Sequence, residues 1–362
     1  MTILLFSIFC YECAFSAPVK IVVGWGENAF GQINIPPDLA DVVQVGAGSY
    51  YSTALRSNGT VVIWGSPDIE NMVLPDSATN IVRISAGQHH CLGLKGDGTV
   101  VGWGYNAQGQ ITTPPFLSNV VAVAAGGLHS LALKAGGNVV GWGYNAQSQI
   151  TIPSNLTNVI AVAAGEYHSL ALKQDGTVIA WGYNYDGQIS VPPNLTNVIA
   201  IAANNAQSLA LKSDGSVVQW GYSWINSAPT NSTNIVAISQ AALYSLGLAN
   251  NATVVAWGES SDSAKTIPSG LTNVIAIAAG YSHALAIIIS NAPPQLEIIS
   301  SGNVIILSWL SAEAGFGLES TETLFSNTVW YPVTNSPAII GDRKVVAIDA
   351  SANQEYFRLR SQ

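Results

Sequence analysis

The sequence predicts an all-β protein: a seven-bladed β-propeller closed by its N-terminal strand, followed by a small C-terminal β-sandwich-like module. Three sets of columns carry this reading. Trp-Gly recurs at Trp25, Trp64, Trp103, Trp142, Trp181, Trp220 and Trp257, with spacings of 39 residues until the last, which is 37. Proline recurs in the same register at Pro36, Pro75, Pro114, Pro153, Pro192, Pro229 and Pro268. A further column holds Tyr51, His90, His129, His168, Gln207, Tyr244 and His283, trailed by a basic column at Arg56, Lys95, Lys134, Lys173 and Lys212. Self-similarity at such a period marks a solenoid, a propeller or an array.

The chain opens with an apolar stretch, Met1 to Phe9, and small residues at Ala14 to Ala17. This reads as a secretory signal peptide over residues 1–16 and places the mature chain outside the cytoplasm, secreted or at the cell surface. Its removal takes Cys10 and Cys13 and leaves Cys91, so no intramolecular disulfide is expected. Residues 19–290 form the propeller. The unit at 158–188 serves as the template. Asn158 to Ala164 and Ser169 to Lys173 alternate as strands, Asp175-Gly176 is a hairpin turn, and Thr177 to Trp181 is a third strand. Gln188 to Val191 is expected as a short fourth strand, stopped by Pro192-Pro193. Four short antiparallel strands make one blade.

The chain enters the repeats midway through a unit, at Val19 to Trp25, and leaves after the second strand of the last unit, His283 to Ile288. The entering strand therefore completes the last blade and removes the open edge. A linear solenoid would need capping repeats, and none is visible. Residues 291–294, Asn-Ala-Pro-Pro, read as a linker. Residues 295–362 form the all-β C-terminal module, with strand-like runs at Val304–Trp309, Gly315–Ser320, Val345–Ile348 and Tyr356–Leu359. Trp309 and Trp330 are assigned to its core.

Composition excludes several function classes. Charged residues are 9% of 362, against about 25% in a usual soluble domain. Lys and Arg number 12 against 21 Asp and Glu, net −9, so no nucleic-acid footprint exists. With 48% hydrophobic residues the chain can bury a core and is not disordered. No apolar run after the first residues reaches the ~18 needed to span a bilayer, so the mature chain is not expected to insert. Five Asn-X-Ser/Thr triplets, at Asn58, Asn155, Asn194, Asn231 and Asn251, follow the repeat and read as turn chemistry.

Val178-Ile-Ala-Trp-Gly-Tyr-Asn-Tyr-Asp-Gly-Gln188, Pro192 and Asn197 to Ala203 resemble the regulator of chromosome condensation repeat, as does His168 to Gly176. The short unit looks most like the secreted bacterial branch of that family, which includes a beta-lactamase inhibitory protein. The resemblance covers roughly residues 19–290 and implies a seven-bladed propeller. By that resemblance, the residue just before the His column would contact a partner, here Tyr50, His89 and Tyr167.

Strands in a blade are antiparallel, so turns alternate between two faces. The Gly-X-X-His connections and the loops after Trp-Gly share one face. Tyr50, Tyr51, Tyr105, Tyr144, Tyr167, Tyr183, Tyr185, Tyr222, Tyr244 and Tyr281 all fall there, with Trp224 and Phe30. The other face carries turn residues. The regular Tyr51/Tyr244/His column is assigned to packing or hydrogen bonding within blades, and the seven Trp to the core. The partner-binding set is Tyr50, His89, Tyr105, Tyr144, Tyr167, Tyr183, Tyr185, Tyr222, Trp224 and Tyr281, because Tyr and Trp dominate interface hot spots. The face has few charges, so salt is expected to affect binding modestly.

No catalytic chemistry is expected. His90, His129, His168 and His283 sit one per blade and do not converge as metal ligands must; no nucleophile elbow, P-loop or zinc motif appears. No cofactor or metal is implied. Cys91, beside His89 and His90, falls in the column of Ser130, Ser169 and Ser208 and reads as a small strand residue. The chain is thus expected to be a monomeric, secreted, non-enzymatic binding protein for a protein or glycan. An inhibitor of a secreted or periplasmic enzyme and a guanine-nucleotide exchange factor are the alternatives. The short uniform units and the signal peptide weigh against the second.

Overall fold

The computed structural model describes residues 19–65, 72–222, 234–259, 263–290, 297–301, 304–310, 316–321, 331–334, 337–340, 343–349 and 356–361. The expected signal peptide, the linker, Trp224 and Trp330 lie outside the described residues. Seven three-stranded antiparallel sheets occupy the repeats. The first is Val42–Ala47, Tyr51–Arg56 and Val61–Gly65. The second is Ile81–Ala86, His90–Lys95 and Val100–Gly104. The third is Val120–Ala125, His129–Lys134 and Val139–Gly143. The fourth is Val159–Ala164, His168–Lys173 and Val178–Gly182. The fifth is Val198–Asn204, Gln207–Lys212 and Val217–Gly221. The sixth is Ile235–Gln240, Tyr244–Ala249 and Val254–Gly258. The seventh pairs Val274–Ala279 with His283–Ser290, and N-terminal Val19–Gly26 lies on its other edge.

The first strand of each sheet packs beside the first strand of the next, and that of the seventh lies beside that of the first. These inner strands enclose a channel of about 260 Å³, lined by small residues such as Ala47, Ala125, Ala163, Ala203 and Ala278. Two compact units are distinguished: one holds Val22–Ile35 and Val42–Ile288, the other the remainder. The chain after Ile289 adds two antiparallel sheets. One orders Glu297–Ser301, Val304–Leu310, Arg343–Asp349 and Ala338–Ile340; the other orders Tyr331–Pro332, Phe316–Thr321 and Tyr356–Ser361.

Local rules set each sheet. Before every first strand stands an Asn or Asp with left-handed φ: Asp41, Asn80, Asn119, Asn158, Asn197, Asn234 and Asn273. These side chains tolerate that conformation where most residues do not. Gly176 takes φ 75° in the hairpin turn, and Asp175 Oδ1 accepts from Thr177 N at 3.0 Å. The Thr177 hydroxyl and amide, with Lys173 at 3.0 Å, hold the Asp175 carboxyl down at about 2.

Among the described residues the expected fourth strand is absent, and each sheet of the repeats has three. The loop spends its polar groups locally. Ser190 N donates to Gly187 O, Val191 N to Ile189 O, and Ile189 N to Asn184 Oδ1. The Gln188 carbonyl accepts from Trp220 Nε1 and Ser208 Oγ of the next sheet. The amides of Ile189, Ser190 and Val191 are thus spent locally and do not serve a ladder.

The tryptophans stand on the third strands, and all seven are buried. The apolar clusters lie between sheets. Trp181 packs with Leu131 and Leu133 of the third sheet and Val159 of the fourth; Trp142 packs with Leu92 and Leu94 of the second. Four of the indole N–H groups donate to the loop glutamine carbonyl of the preceding sheet: Trp64 to Gln32, Trp142 to Gln110, Trp181 to Gln149 and Trp220 to Gln188, at 2.8–2.9 Å.

The Tyr/His column also differs from expectation, since it bonds between sheets and not within them. His90, His129, His168 and His283 place Nε2 against the hydroxyls of Ser130, Ser169, Ser208 and Ser52 at 2.8–3.0 Å, each on the neighbouring sheet. Each serine already donates to a glutamine carbonyl: Ser130 to Gln110, Ser169 to Gln149, Ser208 to Gln188 and Ser52 to Gln32, at 2.7–2.8 Å. A hydroxyl has one proton, so the imidazole donates through Nε2–H. Where the column holds tyrosine, the neighbouring sheet has no serine to meet it. Tyr51 lies 2.9 Å from the carbonyls of Gly87 and His90, next to Cys91; Tyr244 donates to the carbonyl of His283, next to Ala284. Burial raises the Cys91 thiol well above its usual range, which suits an inert strand residue.

Two predictions follow the buried columns. Trp142→Ala removes a packed indole and should cost about 3–5 kcal/mol by denaturant unfolding; a loss below about 1 would place the tryptophans outside the core. Burial pushes His90 and His129 from the usual 6.5 down to about 3, and His168 and His283 down to about 4. The unfolded chain therefore binds more protons between these values. Stability is full above about pH 6.5 and falls toward pH 4, by up to about 1.4 kcal/mol per pH unit for each histidine. His168→Gln, which copies Gln207 of the same column, should flatten melting temperature against pH by about one proton's share; equal slopes would refute the neutral-imidazole role.

Candidate functional site

The loops after Trp-Gly and the Gly-X-X-His connections meet on one side of the ring. Among the described residues, the residue two after a tryptophan donates its backbone N–H to the carbonyl of the residue before the His column. The pairs are Tyr105 to His89, Tyr144 to Leu128, Tyr183 to Tyr167, Tyr222 to Ala206, Glu259 to Leu243 and Glu27 to Ser282, at 2.8–3.0 Å. Four consecutive sheets thus present tyrosine at this position, and the next two present glutamate.

Four of the loops are braced from inside in the same way. Asn184 Oδ1 accepts from Ile189 N at 3.0 Å, and Gln188 Oε1 accepts from Asp186 N at 2.9 Å. Asn106 and Gln110, Asn145 and Gln149, and Asn28 and Gln32 repeat this brace. The connections are braced around the ring: Ser49 N donates to Gln88 O, Gln88 N to Gly126 O, Gly127 N to Gly165 O, Glu166 N to Asn205 O and Tyr281 N to Gly48 O, at 3.0–3.2 Å. The glycine opening the connection is forced. A methyl at Gly165 would collide with the His168 ring. Across the channel mouth, Gln88 Nε2 of the second sheet reaches Asn204 Oδ1 of the fifth at 3.2 Å.

On these rigid loops the aromatic rings touch. Tyr144 and Tyr167 have centroids 5.9 Å apart, Tyr167 and Tyr183 6.3 Å, and Tyr183 and Tyr185 6.3 Å with nearly parallel planes. The chain of four rings crosses from the third sheet to the fourth. His89 packs edge-on to Tyr105, and Tyr50 lies 4.8 Å from Phe30. Tyr185 is 85% exposed; Tyr105, Tyr222 and Tyr281 are partly exposed, and Tyr50, His89, Tyr144, Tyr167 and Tyr183 are half-buried. Burial and the neighbouring Glu166 carboxylate raise the Tyr167 hydroxyl above its usual value, so it stays a neutral donor. Tyr51 and Tyr244, on the same side by sequence, are fully buried and belong to the scaffold. Among the described residues no three His, Cys, Asp or Glu side chains gather as a metal site.

Sequence reasoning missed one feature of the opposite face. Each first strand shifts register after its first residue, and the bulged position carries Val43, Val82, Val121, Ile160, Ile199, Val236 or Ile275. A bulge turns a side chain out of the ladder, and these seven are 41–55% exposed. The column was visible in the repeat. Its direction was not, because strict alternation would have sent it inward.

Residues 42–68, 81–110, 120–149 and 159–188 match the sequence model of the regulator of chromosome condensation (RCC1) repeat. No curated protein matches the chain by sequence. Among solved structures, one described as Kap60 bound to yeast RCC1 (Prp20) is similar, with 18% identity, TM-score 0.64, and coverage of 76% of this chain and 90% of that one. Human WBSCR16 gives 18% identity and TM-score 0.61 over 76% and 100% of the two chains. The ectodomain of the Physcomitrella patens receptor kinase CR4 gives 21%, TM-score 0.58, and 73% and 77%. At these identities the likeness is one of fold.

The loop brace is testable. Asn184→Ala removes the acceptor for Ile189 N, and amide exchange at Ile189 should speed about fivefold, equivalent to ~1 kcal/mol. Unchanged exchange would show that the loop is held by other means.

Proposed function

Because the chain carries regulator of chromosome condensation repeats folded as a propeller, we propose that it is a non-enzymatic binding protein that docks a protein on its aromatic loop face. The observation that carries this reading is the row Tyr144–Tyr167–Tyr183–Tyr185, rings in mutual contact on internally braced loops, ending in a tyrosine 85% exposed. Large rings on a rigid support lose little entropy on binding and supply contact area. The scaffold columns repeat, whereas the position before the His column varies: Tyr50, His89, Leu128, Tyr167, Ala206, Leu243 and Ser282. Scaffold duty alone would keep these alike. A yeast neighbour of the same fold is described as bound to Kap60, which favours a protein over a glycan.

The reading includes an extracytoplasmic location, supported by the apolar segment at Met1 to Phe9. Inhibition of a secreted enzyme is its narrower form. Capture from the native secretome by the full chain, compared with a Tyr50/Tyr167/Tyr185→Ala variant of equal thermal stability, tests it. The partner retained by the wild type should fall at least tenfold with the variant, the scale of about 1.4 kcal/mol or more expected for hot-spot rings. Equal capture would overturn the assignment of the face.

A further inference from the structure

The charge on the aromatic face is predominantly negative. Among the described residues of its loops and connections, the acids are Glu27, Glu166, Asp186 and Glu259, and the one Lys or Arg is Lys265. Lys265 sits in a short 3-10 turn with Nζ 3.5 Å from the Gly258 carbonyl. The basic column of the repeats, Arg56, Lys95, Lys134, Lys173 and Lys212, ends the middle strands at the hairpin side, where Lys173 and Lys212 pair with Asp175 and Asp214. The two faces therefore differ: the hairpin face holds lysine–aspartate pairs, whereas the other carries carboxylates on the same loops and connections as its tyrosines.

Two of those carboxylates adjoin the row of four rings. Glu166 directly precedes Tyr167 in its connection, near enough for its carboxylate to raise the Tyr167 hydroxyl, and Asp186 follows Tyr185 directly in the braced loop. The planes of Tyr183 and Tyr185 are 15° from parallel, and the Tyr185 ring at the end of the row is 85% exposed, open to a partner. A ring face with a carboxylate at its edge suits a guanidinium or ammonium, which gains from the ring quadrupole and the opposite charge together. Apolar or anionic partners would gain nothing from the carboxylates and would leave them desolvated.

We propose that the occupant of the aromatic face is a basic segment of a partner protein, with an Arg or Lys side chain lodged against Tyr167, Tyr183 and Tyr185 beside Glu166 and Asp186. This rests on the aromatic-face reading above and adds the partner's chemistry. Electrostatic attraction of this kind steers association and weakens with salt, so the few charges of the face matter through their predominant sign.

The test uses the full chain and octa-arginine, octa-lysine and octa-glutamate peptides by titration calorimetry. The two basic peptides should bind and octa-glutamate should not, with affinity falling at least tenfold between 50 and 500 mM salt, by order of magnitude. Glu166→Gln with Asp186→Asn should weaken octa-arginine about fivefold or more, and Tyr185→Ala about threefold or more. Asp175→Asn with Asp214→Asn changes net charge equally on the other face and should leave binding within about twofold. Equal loss from both charge-removing pairs would mean general attraction to an acidic chain and would overturn the proposal, as would no binding. Should secretome capture depend on the tyrosines yet ignore salt and the Glu166/Asp186 pair, the binding face would stand and its basic partner would fall.

Discussion

The structure depends on one arrangement repeated around the ring: a neutral imidazole donating to a serine hydroxyl that donates in turn to a glutamine carbonyl. His129, Ser169 and Gln149 form one such set, with separations of 3.0 and 2.7 Å. All three are fully buried. A buried polar group costs several kcal/mol unless bonded, so each member is obligatory once the others are present. The indole of Trp181 shares the same Gln149 carbonyl. At four interfaces the hydrophobic cluster and this polar latch therefore meet at a single carbonyl oxygen. Where tyrosine replaces histidine, the residue that would have been serine is Cys91 or Ala284, and the hydroxyl bonds to backbone instead. The substitutions come in matched pairs because a lone one would orphan a buried group.

The latch explains why the candidate site is rigid. The glutamine whose carbonyl is held by the next sheet uses its side chain to brace its own loop, as Gln188 does for Asp186 N. The loop that carries Tyr183 and Tyr185 is tied from below and from within. Gly165 leaves room for the His168 ring, and the connection it opens carries Tyr167, whose ring lies against Tyr183. Variation is left to the side chains that point out of this frame, and those hold the tyrosines and carboxylates of one face.

Much of this was legible in the sequence. The period, the strands and the hairpin turns followed from residue types whose preferences are local. The sorting of loops onto one face followed from antiparallel alternation alone. Other features were not legible. The fourth strand failed because Gln188 to Val191 has strand-like residues whose backbone groups are claimed by Asn184 and by the next sheet. The His column was expected to bond within blades, since its partner serine stands 40 residues away and only stacking of the sheets brings the two together. The outward aliphatic ring needed the bulge, which period-2 patterning does not contain.

The sequence by itself determined the repeat, the all-β class and the residues that would have to be buried, because periodic spacing and turn chemistry act over a few residues. Tertiary structure decided which buried groups pair, which aliphatics face solvent, and that Tyr144, Tyr167, Tyr183 and Tyr185 form one row beside Glu166 and Asp186. Those outcomes depend on contacts between neighbouring sheets. A column of identical residues states that an interaction repeats, but its partner becomes visible only when one repeat is laid against the next.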